Sequence, residues 1–87
     1  MKIKENFMLR KVADTYVVVP VGDAVSSFNG MINLNEAGAF LWRQFECDNT
    51  LESVLEAMLQ EYDVDEAVAK KDLEKFVAEL KENDLLN

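Results

Sequence analysis

The sequence is short of the residues on which most enzymes and metal proteins depend. Its 87 residues include no histidine, one proline and one cysteine. Without histidine the chain has neither the commonest general base nor the commonest metal ligand. The single cysteine, Cys47, cannot form an internal disulfide and supplies no CxxC pair for a metal. We therefore expect no disulfide, no metal site and no bound cofactor.

Long apolar segments are missing as well. No run approaches the roughly 18 apolar residues that span a bilayer. The charged start, residues 1–7, is not followed by the apolar stretch of a secretory signal. We therefore expect no membrane partner and a cytoplasmic location. Because 49% of the residues are hydrophobic, the chain has enough apolar side chains for one core, and we expect a single domain over residues 1–87.

The charge that is present is mostly acidic and lies at one end of the chain. Acidic residues outnumber basic ones 17 to 9, which gives a net charge of -8. Residues 46–87 hold thirteen acidic and four basic residues, whereas residues 1–45 hold four acidic and five basic ones. A phosphate backbone is bound by clustered Lys and Arg, so we expect no nucleic-acid partner. The acidic half is either the solvated outer surface of helices or a surface that attracts a basic partner.

The first half of the chain has the periodicity of strands. Residues 7–12 and 16–21 predict two strands joined by a tight turn at residues 13–15. Pro20 lacks an N–H and should lie at the end of the second strand. Residues 28–34 alternate between apolar and polar side chains and predict a third strand. The short connections favour an antiparallel meander.

The second half has the periodicity of helices. Asn35 is a suitable N-cap for a first helix, and either Asn49 or Thr50 is suitable for a second. The second helix has apolar residues at each expected position from Leu51 to Tyr62, the clearest periodic signal in the sequence. The chain is therefore predicted to be an α+β domain, a three-stranded antiparallel sheet followed by three helices.

The third helix has two candidate starts and one candidate end. Asp63 and Glu66 have the spacing of a capping box, and Asp65 is the alternative cap. Asn83 is the predicted left-handed terminator, after which residues 85–86 fold back on the last turn.

Catalytic chemistry finds little support in the sequence. Most carboxylates fall on the polar faces of the predicted helices, where solvent surrounds them, whereas a catalytic carboxylate needs burial or a close partner. Residues 63–68 begin like a calcium loop, but Ala67 and Val68 stand where the loop needs an oxygen ligand and a glycine. Trp42 lies beside the apolar stripe of its helix and is either a core residue or an aromatic at a partner surface. We expect a protein that is not an enzyme.

The third strand is the feature that points to a function. In a meander it is an edge strand, and it carries neither the charge nor the proline with which proteins usually protect an edge. Its free backbone groups are covered by a terminal segment, by a second copy of the chain, or by an extended peptide that adds a strand. The residues alone leave these three alternatives open.

Two stretches of sequence resemble a known family. FNGMINLNEAGAFLW (residues 28–42), preceded by LRKVADTYVVVP (residues 9–20), is similar to the PqqD-like peptide chaperones. These proteins are also called RiPP recognition elements and act in the biosynthesis of ribosomally made peptide natural products. The order and spacing of the later helices are similar too, so the resemblance covers nearly the whole chain.

The resemblance implies a winged helix-turn-helix-like domain that binds the leader segment of a precursor peptide and presents it to a modifying enzyme, in many members a radical SAM (S-adenosylmethionine) enzyme. The leader would pair with the third strand and lie against the third helix. Carried onto this sequence, the strand residues are Phe28, Asn29, Gly30, Met31, Ile32, Asn33 and Leu34. The corresponding helix residues are Lys70, Leu73, Glu74, Val77, Ala78 and Lys81.

Two other functions fit the same fold. Winged-helix domains also occur in transcription regulators, but residues 70–82 hold four acidic and four basic residues, and a recognition helix needs a positive balance. A homodimerisation module would use the edge of the third strand for a second copy of the chain. Peptide binding is the function that we expect.

Overall fold

A computed structural model describes residues 1–22 and 32–87 of the chain. Three strands come first, β1 (Phe7–Val12), β2 (Thr15–Pro20) and β3 (Ile32–Leu34), and they form one antiparallel sheet in the order β1-β2-β3. Three helices follow: α1 (Glu36–Phe45), α2 (Leu51–Glu61) and α3 (Glu66–Glu82). The predicted α+β class, with a sheet before three helices, is confirmed. Residues 28–31 of the predicted third strand lie outside the described residues.

The turn between β1 and β2 is tighter than predicted. Val12 pairs with Thr15, so the loop contains only Ala13 and Asp14. Ala13 adopts a φ of +55°, a conformation that costs an L-residue about 1–2 kcal/mol. The Thr15 hydroxyl donates to the carbonyl of Val12 over 2.9 Å and helps to close the turn. Pro20 ends β2, as predicted.

The first two helices begin where the capping residues predict. The Asn35 side chain accepts a hydrogen bond from the Gly38 N–H at 2.7 Å at the start of α1. Thr50, of the two candidates, caps α2 by accepting from the Ser53 N–H at 3.1 Å. Asn49 instead donates its side-chain amide to the carbonyl of Gln44. Both side chains therefore satisfy backbone groups that a helix end leaves open.

The ends of α3 match the prediction in part. Of the two candidate starts, the capping box of Asp63 and Glu66 is wrong, and Asp65 is the N-cap residue, although its side chain makes no capping hydrogen bond. At the other end Asn83 keeps a φ of -93°, and Asp84 takes the left-handed conformation with a φ of +56°. The N–H of Leu85 then donates to the carbonyl of Leu80 at 2.9 Å. This hydrogen bond is the one that defines a Schellman motif, in which the chain turns back after the helix. The chain folds back as predicted, but one residue later.

The two ends of the chain lie side by side, which the sequence did not predict. Ile3 forms a bridge with Leu86 and is only 3% exposed. The N–H of Lys4 donates to Leu85 O, and the N–H of Asn87 donates to Lys2 O, both at 2.9 Å. These bonds hold the first residues against the end of α3, and they place Ile3 in the core.

The core lies between the inner face of the sheet and the three helices. Val18 from the central strand is completely buried among residues of all three helices. Trp42 is 1% exposed and is therefore a core residue, the first of the two alternatives given above. In residues 1–22 and 32–87 no helix is long and apolar enough to cross a membrane. The largest fully buried side chains are Trp42, Phe45, Leu73, Leu85, Val18 and Val54.

Candidate functional site

The outer edge of β3 is open in the described part of the chain. β3 pairs with β2 along one edge, and no described strand lies along the other. Both terminal segments pair with each other through Ile3 and Leu86. The terminal segments therefore do not cover this edge, and that alternative is wrong.

The hydrogen-bonding pattern shows which backbone groups reach the open edge. The N–H of Val21 donates to Asn6 O at 2.8 Å, and bonded pairs alternate in an antiparallel ladder. Every second residue of β2 therefore bonds to β1, and Val18 and Tyr16 direct their backbone groups toward β3. Their partners Ile32 and Leu34 bond to β2. The N–H and C=O of Asn33 consequently point to the open edge.

A groove runs beside this edge, between β3 and α3. Its floor is apolar and includes Ile32 and Leu34 from the strand and Phe76 and Leu80 from the helix. The groove is shallow, with a volume of about 10 Å³, and a separate cavity of about 230 Å³ lies between the start of α1 and the middle of α3. Phe76 and Glu79 line both, so the two depressions lie next to each other. A shallow apolar surface beside an open strand edge suits an extended chain that lays alternate side chains on it.

The rim of the groove is polar. One flank of α3 and its C-cap carries a row of polar residues at spacings of three and four, which places them on the same side of the helix. The row consists of Asp72, Lys75, Glu79 and Asn83. Two carboxylates and one ammonium give this flank a net charge of -1. The neighbouring indole N–H of Trp42 is buried and has no hydrogen-bond partner. This arrangement can bind an apolar extended segment but holds no cluster suited to acid–base chemistry.

The comparisons with known proteins agree with this geometry. The family model described as coenzyme PQQ synthesis protein D (PqqD) matches residues 15–86. The chain belongs to the PqqD family. No curated protein matches the chain.

Two solved structures share the fold of this PqqD-family chain. TbiB1, in complex with the TbiA(beta) leader peptide, superposes with a TM-score of 0.79 at 24% identity, over 100% of this chain and 95% of TbiB1. A lasso peptide synthetase B1, complexed with the leader peptide, has a TM-score of 0.76 at 19% identity, over 97% of this chain and 93% of that chain. The likeness at this identity establishes the fold.

The structure places the predicted site residues of this PqqD-family chain on two sides of α3. Ile32, Asn33 and Leu34 lie at the open edge, and Phe28, Asn29, Gly30 and Met31 lie outside the described residues. Lys70, Leu73 and Glu74 line a different cavity, between α2 and α3. Leu73 and Val77 are core residues, while Ala78 and Lys81 are exposed. Contact of these six helix residues with a peptide stays a prediction, but within the described structure none of them borders the groove beside β3.

The sequence did not predict which flank of α3 borders the groove. A stripe of apolar residues identifies the buried face of a helix, but it does not show which element packs on either side of that face. In this PqqD-family chain α2 occupies one flank of α3 and β3 the other. The signal was present in the row of polar residues from Asp72 to Asn83. A short connection from α2 into α3 places α2 beside the first turns of α3, which leaves the opposite flank for the sheet.

Proposed function

We propose that this PqqD-family chain binds the leader segment of a ribosomally made precursor peptide and presents it to a modifying enzyme. The observation that carries the proposal is the open edge at Asn33 beside an apolar groove. The leader peptides in the two similar structures support it, since those proteins share the fold. In this function the domain acts by binding, and the chemistry belongs to the enzyme, which we propose to be a radical SAM enzyme.

Strand addition explains how one small domain binds a long segment. The peptide would accept from the N–H of Asn33 and donate to its C=O, which are the groups that β3 directs outward. Side chains at alternate peptide positions would then lie over the shallow groove that Phe76 and Leu80 line. Backbone bonds supply affinity for any extended peptide, and the shape of the groove selects the sequence.

We propose that the helix wall of this site is the row from Asp72 to Asn83, because that row borders β3. The six residues implied by the family resemblance lie along or beyond the opposite flank. The two sets are centred roughly half a turn apart on the helix, so measurements on single residues separate them.

The test is a titration of the 15N-labelled chain with the leader segment of the precursor encoded beside its gene. We expect the largest amide shifts at Ile32–Leu34 and along the flank of α3 that carries Glu79. Shifts centred on Lys70 and Glu74 would transfer the site to the opposite flank. An absence of shifts at β3 would contradict strand addition, and a doubling of mass in light scattering without peptide would assign the edge to a second copy.

A further inference from the structure

A second concave surface lies on the other side of α3 from the peptide groove. It is a cavity of about 240 Å³ between α2 and α3. Leu51, Leu55 and Leu73 form its apolar floor. We call it the α2–α3 cavity. Its lining has no residue in common with the groove beside β3.

The size of the α2–α3 cavity indicates what it can hold. An enclosed apolar cavity of about 150 Å³ accommodates a benzene molecule, whereas pockets for whole small-molecule ligands measure about 300–1,000 Å³. The cavity therefore has the volume for one large apolar side chain and part of a second. Leu51 at its edge is 38% exposed, which extends the apolar surface beyond the cavity itself. This is the shape of an anchor site for part of a larger molecule.

The rim of the α2–α3 cavity is acidic and its charges are unpaired. Glu52, Glu66 and Glu74 surround the opening together with the single cation Lys70. The ion pairs formed among residues 1–22 and 32–87 involve other groups, namely the N-terminal ammonium with Asp48, Lys2 with Glu5, and Lys4 with Asp84. Three carboxylates are therefore available to cations of a partner.

We propose that the α2–α3 cavity is a docking site for a basic amphipathic segment of a second protein. An apolar side chain of that segment would enter the cavity, and flanking Lys or Arg side chains would pair with Glu52, Glu66 and Glu74. A second copy of this chain fits the site poorly, because it would bring another acidic rim and a net charge of -8. The proposal does not depend on leader binding, since the two sites lie on opposite flanks of α3.

The experiment uses a synthetic amphipathic peptide with leucine on one helical face and lysine on the other. A second peptide keeps the leucines and replaces each lysine with glutamate. In titrations of the 15N-labelled chain, the lysine peptide is expected to shift residues 51–55 and 66–74, and the glutamate peptide is expected not to bind. Equal binding of the two peptides, no binding, or shifts centred elsewhere would overturn the proposal.

Matched variants separate the site from the general attraction of an acidic protein for a basic peptide. The triple variant Glu52→Lys, Glu66→Lys, Glu74→Lys should weaken binding on the order of tenfold or more. A control that reverses exposed acids outside the cavity, at Glu56, Glu61 and Glu82, makes the same change in net charge. Equal weakening in the two triples would reduce the effect to net charge and overturn the proposal.

Three further measurements complete the test. Glu52 and Glu66 lie in first helical turns, where a cation opposes the helix dipole, so the same three positions changed to Gln provide a variant with less risk to folding. Leu51→Ala should weaken binding at least threefold, while Val64→Ala, at an exposed apolar residue outside the cavity, should not. Shifts at the cavity that grow with protein concentration and need no peptide would identify a second copy as the occupant and overturn the proposal.

Discussion

Asn33→Pro is the substitution that tests strand addition most directly. The N–H of Asn33 points to the open edge, so a proline there removes one outward donor and leaves the hydrogen bonds between β2 and β3 in place. Ile32→Pro has the opposite effect, because Ile32 bonds to Val18 in β2. It should destabilise the sheet because it removes a ladder hydrogen bond, which makes it unsuitable as a binding variant.

The expected loss of affinity follows from the unpaired group. A leader carbonyl that loses its donor in the paired strand stays buried without a partner, which costs about 1–3 kcal/mol. A value of about 2 kcal/mol corresponds to a roughly 30-fold higher Kd. The exposed side chain of Asn33 contributes nothing to the groove, so Asn33→Ala should change the Kd by less than about threefold.

Isothermal titration calorimetry with the leader segment measures both variants. Circular dichroism and a 15N spectrum first establish that each variant is folded. A folded Asn33→Pro protein that binds as tightly as Asn33→Ala would refute pairing at this edge. If Ile32→Pro is folded with full stability, the assignment of which residues face β2 is wrong.

Further predictions concern the groove wall and the stability of the fold. Glu79→Trp should fill the groove and weaken leader binding at least tenfold, whereas Glu74→Trp, on the opposite flank, should not; equal effects in calorimetry would contradict the proposed wall. Ala13→Gly should raise the free energy of unfolding, measured in urea, by about 0.5 kcal/mol. Glycine removes the strain of the left-handed alanine, and the greater flexibility of glycine in the unfolded chain offsets part of that gain. A loss of stability would refute this explanation. Leu85→Ala should cost about 2–5 kcal/mol in the same assay, and the half-buried Leu86 should cost less when truncated in the same way; the reverse order would show that Leu85 is not the anchor of the last turn.

A pH dependence follows from the pairing of the chain ends. The N-terminal ammonium donates to the Asp48 carboxylate at 2.9 Å and lowers the pKa of that carboxyl from 3.8. A folded-state pKa below the unfolded value contributes stability above pH 3.8 that is lost as the pH falls through the folded pKa. Asp48→Asn should therefore flatten the stability profile below about pH 4 in acid titrations followed by circular dichroism. An unchanged profile would contradict the contribution of this pair.

Local signals in the sequence predicted most of the fold. The strands and helices were predicted because alternation and capping residues act over a few neighbouring positions, as at Asn35 and Thr50. The left-handed residue after α3 was misplaced because Asn83 and Asp84 both tolerate that conformation, and the packing of Leu85 selects the second. The burial of Ile3 was missed because one apolar residue between two lysines has no periodicity.

The candidate site was predictable in part, for a different reason. An edge strand without charge is visible in the sequence, and Ile32–Leu34 lies at the open edge. Which flank of α3 faces that edge depends on where α2 packs, a contact between distant segments that helical periodicity does not contain. The row that includes Glu79 therefore emerged only from the three-dimensional arrangement.

The pairing of Ile3 with Leu86 means that the polypeptide enters and leaves the domain at one corner. Because Asn87 and Lys2 share a hydrogen bond, a linker of a few residues is enough to join the two ends. A circular permutant opened at the Ala13–Asp14 turn would thus keep all of its helices. By the same geometry, the domain is suited to insertion into a surface loop of another protein, with β3 left free on the far side of the sheet from β1.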